Sequence, residues 1–175
     1  MIMNKVQEML VQMLKWIDFL EWVDNEQILE LSSCFKLKCI PSLTTLIQEG
    51  QIPDKIYILK KGNLEVNKKN WFTTDKLADI KEWELFWEFS FFQQKAAVAT
   101  VKSTDENVDI WELSKEEFKK FIDKYSEIKE KIKLTMENRI KENKKKWGEN
   151  YENDYYCSGI TKEETNIKLD FEIKI

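Results

Sequence analysis

The chain has 175 residues, a formal net charge of −4 and no histidine, long enough for one domain with appendages but not for a large catalytic domain beside it. The acidic balance excludes an overall basic field that would draw nucleic acid, and no apolar run is long enough to cross a bilayer. Without histidine the commonest general base and any Ser-His or Cys-His dyad are missing, so a non-enzymatic protein is expected.

Cysteines at 34, 39 and 157 form an odd, sparse set. They make neither a disulfide framework nor, without histidine, a zinc site, and are read as reduced thiols. No metal and no cofactor are expected. The N-terminus lacks a secretory or Arg-rich transit pattern, which points to a cytoplasmic setting.

In chain order, Ile2, Val6, Met9, Leu10, Met13, Ile17 and Leu20 recur at spacings of three and four. They predict an amphipathic N-terminal helix over a first unit, residues 1–22. A second, short helix starts near Asp24, whose carboxylate suits the cap, and ends about Cys34. Short apolar runs punctuated by turn residues then predict strands over 44–48, 55–60, 64–67, 76–81, 98–103 and 108–113, with Gly50 and Gly62 at turns. Ile56-Tyr57-Ile58-Leu59 is too apolar for a one-sided surface strand and is expected to cross the core.

Helix returns at Ser114-Lys-Glu-Glu117, a capping-box pattern preceding Phe118, Phe121 and Ile122. After a break near Tyr125-Ser126, Ile128, Ile132, Met136 and Ile140 mark a longer helix ending at Lys144 to Lys146. Residues 23–146 thus make a mainly β unit of α+β class, a jelly-roll or β-roll flanked by N- and C-terminal helices. In the tail, residues 147–175, Ile167, Leu169, Phe171, Ile173 and Ile175 alternate with polar residues. That is a period-two strand suited to pairing within the chain or with a partner.

Three places together carry a family resemblance. They are Gln48-Glu-Gly-Gln-Ile-Pro-Asp54 followed by Ile56 to Leu59 and Gly62; Phe86-x-Glu88 followed by Ala99-Thr-Val101; and Trp111-Glu-Leu-Ser-Lys-Glu-Glu-Phe118. Over roughly Phe19 to Lys133 the chain resembles the cyclic nucleotide-binding domain family. The resemblance implies a phosphate-binding cassette at Phe86 to Val101, opened by Phe-Gly-Glu, in which the glutamate holds the ribose and an arginine nine residues later pairs with the phosphate. Glu88 matches that pattern, but Trp87 stands at the glycine position and Ala97 at the arginine position. Arg139 is the sole arginine of the chain. Two further turn glycines of the family pattern are replaced, by Ser42 and by Trp83.

These departures predict a pseudo-receptor: a structural or adaptor subunit of a larger protein assembly that no longer binds cyclic nucleotide. Its protein partners are expected at the N-terminal helix and the C-terminal strand, and a cilium or axoneme is the narrower setting the family suggests. The aromatic group Trp83, Phe86, Trp87, Phe89, Phe91 and Phe92 is read as core or interface rather than as a platform for bases. The alternative is a genuine cAMP- or cGMP-sensing domain with a non-standard phosphate site. In that case the nucleotide would meet Glu88, Lys95, Ala99 and Thr100, with Lys95 supplying the charge but not arginine's planar fork.

Overall fold

The computed structural model describes residues 5–17, 20–86 and 96–147. Eight strands form two antiparallel four-stranded sheets: β1 (Lys36–Pro41), β8 (Asn107–Ser114), β3 (Lys55–Lys61) and β6 (Leu85–Phe86) in one, and β2 (Thr45–Ile47), β7 (Thr100–Ser103), β4 (Leu64–Lys69) and β5 (Thr74–Ile80) in the other. Helices α1 (Lys5–Leu14) and α2 (Asn25–Cys34) precede the sheets, and α3 (Lys115–Lys124) and α4 (Ser126–Trp147) follow. The α+β roll with helices at both ends agrees with the sequence reading.

The apolar strand at the centre explains the layering. In β3, Ile56 and Ile58 face the helices while Tyr57 and Leu59 face the second sheet, and all four are buried. Its neighbour β8 divides likewise, with Trp111 and Leu113 toward the helices and Val108 and Ile110 toward the other sheet. A strand covered on both faces needs apolar side chains at consecutive positions, which is why the run reads as continuous rather than alternating.

The helix-side core gathers Leu10 and Leu14 of α1, Ile28 and Leu31 of α2, Phe118 and Phe121 of α3, and Ile128 and Ile132 of α4. The first helix is shorter than its apolar stripe. It ends at Leu14, and tighter turns carry the chain on, with Ile17 N–H donating to Leu14 and Leu20 N–H to Ile17, so both side chains still reach this core. At the start of α2, Asp24 and Gln27 cap each other reciprocally, at 2.8 and 2.9 Å. At α3 the Ser114 hydroxyl accepts the Glu117 N–H at 3.2 Å, while the Glu117 carboxylate meets Lys120, 3.2 Å away.

Strand β1 has no counterpart among the predicted strands. It is an edge strand in which Ile40 alone is buried and which ends on Pro41; Leu37 and Cys39, which alternate with lysines, are exposed, so the pattern along its sequence does not mark a buried face. It is held by its ladder to β8 and by Glu112, whose carboxylate receives Lys38 of β1 at 2.7 Å and Lys55 of β3 at 3.2 Å. Burial works against ionisation of Glu112, but the two lysines outweigh it and keep the carboxyl below its ordinary value of 4.5. A depressed carboxylate contributes stability that is present above its unfolded pKa and is lost as pH falls through the folded one. Glu112→Gln is therefore expected to cost about 1 kcal/mol at neutral pH. The difference from the wild type should stay constant above about pH 5 and shrink below it, as read by urea denaturation across pH.

Candidate functional site

The first sheet ends at Phe86, and the next strand, β7, opens at Thr100 in the second sheet. Glu88 and Lys95, together with Trp87, Phe89, Phe91 and Phe92, lie outside the described residues, as does the terminal alternating segment. Both ends of the cassette are defined. Phe86 is buried between the sheets and stacks on Tyr57 with ring centroids 5.3 Å apart. Burial first, then the charges of Glu112 and Asp54, push the Tyr57 phenol upward, which keeps this wall of the site neutral.

On the return, Ala97 is 2 % exposed and belongs with Ala99 and Val101 to the core between the sheets. Its backbone is clamped to the preceding turn, the Ala97 N–H donating to Gln51 at 2.8 Å and the Gly50 N–H donating to Ala97 at 2.7 Å. Gly50 takes φ +85°, a conformation that glycine adopts without steric cost. Position 97 is therefore a fixed point of the roll, with its side chain directed into packed apolar surroundings.

Thr100 falls on the other side of β7. Its hydroxyl accepts the Glu49 N–H at 3.1 Å and the Gln48 amide at 3.3 Å. Ala99, just before β7, thus packs into the core while the Thr100 side chain points away from it. The outer side, shared by Thr100, Lys102, Glu65 and Asn67, carries an open groove of about 920 Å3 whose lining also includes Leu43 and Trp71. This groove lies across the sheet from Ala97 and Ala99.

The two positions at which the resemblance implies a turn glycine differ in conformation. Trp83 sits at φ +68°, so the left-handed turn persists with a tryptophan in it. The turn is held by the Trp83 N–H donating to Leu59, and by the Lys81 N–H donating to the Glu84 carboxylate at 2.8 Å. The indole packs against the helix-side core, and that packing offsets the backbone strain. At the earlier turn the left-handed residue is Leu43, with φ +62°, and not Ser42. Ser42 instead donates its hydroxyl to the Thr104 carbonyl at 3.0 Å. The left-handed conformation of this turn thus falls one residue after the position that the resemblance compares with a glycine.

Among the described residues no cluster of three histidine, cysteine, aspartate or glutamate side chains is placed to hold a metal. Cys34 and Cys39 are free thiols, and burial raises the pKa of Cys34.

Two antiparallel sheets in a roll, a cassette between β6 and β7 and helices at each end define the class of cyclic nucleotide receptor folds. The chain belongs to the cyclic nucleotide-binding domain family, whose model matches residues 38–125. It is 26 % identical over 115 residues to a cGMP-dependent protein kinase of Plasmodium berghei, covering 65 % of this chain and 13 % of the kinase. It is 30 % identical over 101 residues to cGMP-dependent protein kinase 2 of Mus musculus, covering 57 % of this chain and 12 % of the kinase. It therefore spans only a small part of these relatives. The N-terminal domain of a transcriptional regulator from Streptomyces coelicolor shares the fold, with a TM-score of 0.67 and 19 % identity, over 77 % of this chain and 94 % of that one.

The conformation of Trp83 separates strain from packing. Trp83→Ala removes the indole but keeps a Cβ in the left-handed region, whereas Trp83→Gly removes both. The glycine variant is expected to be more stable than the alanine variant by about 1 kcal/mol, read from their urea midpoints at equal slope. Equal stabilities, or a more stable alanine variant, would count against a strained turn.

Proposed function

We propose that this chain is a non-enzymatic adaptor or structural subunit built on a cyclic nucleotide-binding domain that does not bind cyclic nucleotide. The observation that carries this reading is Ala97. The family resemblance assigns an arginine to that position, and here a methyl group is 2 % exposed within the core between the sheets. Two charge-assisted hydrogen bonds to a phosphate, each about 1.5–3 kcal/mol, are absent at this position, a loss of at least about two decades in affinity. Trp87 at the glycine position supports the same reading, because the cassette implied by the resemblance needs a residue without a side chain where backbone N–H groups approach the phosphate.

The likeness to two cGMP-dependent kinases favours the second reading, a sensor in which Lys95 and backbone amides hold the phosphate. The two separate in one measurement. A ligand that binds only the folded state raises its melting temperature by mass action, so millimolar cAMP and cGMP are expected to leave the thermal transition of the full chain unmoved. A saturable rise with either nucleotide would overturn the adaptor reading in favour of the sensor.

As an adaptor the domain offers the exposed Met9 of α1, the exposed Trp16 and Trp22 of the turns between α1 and α2, and the alternating segment 167–175. Removing residues 160–175 is expected to leave the thermal unfolding of the roll unchanged while abolishing co-purification of the native assembly. Retention of the full assembly by the shortened chain would exclude the tail as its attachment point.

A further inference from the structure

The β4–β5 hairpin ends in a four-residue tip, Asn70 to Thr73, that carries two adjacent aromatic side chains. Trp71 is 97 % exposed and Phe72 is 99 % exposed. The tip is nonetheless tightly built. The Asn70 N–H donates to the Thr73 carbonyl at 2.8 Å and closes the turn. Asp75 receives the Asn70 amide on one oxygen and the Thr73 hydroxyl on the other, the latter at 2.9 Å. Just below, the Lys69 N–H donates to the Glu49 carboxylate at 3.1 Å, tying the hairpin to the turn beside the cassette. The polar side chains and nearby carboxylates are thus bonded inward, and what projects is an indole and a phenyl ring above Lys68 and Lys69.

We propose that this hairpin tip inserts into the headgroup region of a lipid bilayer, with Trp71 and Phe72 entering the interface and the two lysines meeting headgroup phosphates. Shape decides between a bilayer and a protein groove. A standard protein interface buries about 800 Å2 on each side, and its energetic centre is a packed patch ringed by other contacts. Two aromatic side chains bury about 150–250 Å2 each; Trp71 stands at the rim of the open groove, and Phe72 is 99 % exposed. A narrow convex tip of this kind fits a soft interface, which closes around it without a preformed pocket. Tryptophan and phenylalanine are suited to that depth, and lysine stems reach from it to the phosphates. The chain's net charge of −4 provides no long-range attraction to an anionic surface, so insertion and short-range lysine contacts carry the binding.

The inference is independent of the adaptor reading. It is tested by sedimentation of the full chain with phosphatidylcholine–phosphatidylserine vesicles, beside a Trp71→Ser/Phe72→Ser variant whose thermal unfolding confirms an intact fold. Wild-type protein is expected to sediment with the vesicles, and the double variant to bind at least about tenfold more weakly. A wild-type chain that stays in the supernatant, or a variant that binds as the wild type does, overturns the proposal; the first outcome leaves the tip to a protein partner.

Discussion

The pairing of β3 with β8 is the constraint on which the rest of the molecule depends. These two strands run antiparallel from Lys55 opposite Ser114 to Lys61 opposite Asp109, at the centre of a sheet buried on both faces. Each alternation of the pleat sends one side chain to the helices and the next to the second sheet. The two cores are therefore built from the same pair of strands and cannot form separately. The register also sets the ion pairs, since it brings Glu112 between Lys38 and Lys55, and Asp109 within 3.0 Å of Lys60.

The cassette is suspended from this frame. Its entry at Phe86 pairs with Tyr57 of β3, and its exit at Ala97 is clamped to the turn at Gly50 and Gln51. Both anchors use backbone bonds and apolar packing, neither of which needs a ligand. In a receptor of this fold the same frame presents an arginine and a glycine to a phosphate. Here the Ala97 side chain joins the apolar core between the sheets.

Much of the architecture was legible because it follows from local rules. Continuous apolar residues at 56–59 announced a strand with two buried faces, and Ser114 and Asp24 announced helix starts. Other features are settled by neighbours distant in sequence. The edge strand β1 has one buried residue and exists through its ladder with β8. The left-handed residue at the first turn is Leu43, because the ladder between β2 and β7 fixes where the chain must reverse.

The sequence by itself determined the family, the order of the elements and the identity of the residues at the cassette's key positions, because turn glycines, apolar periodicity and cap residues act within a few residues of one another. Only the tertiary structure decided which side of the sheet each cassette residue faces, that Ala97 is sealed between two sheets, that Trp83 keeps a glycine's conformation, and that Trp71 and Phe72 stand clear of the surface. Each of these turns on strand register and on packing between segments far apart in the chain, where a single step along a strand exchanges core for solvent.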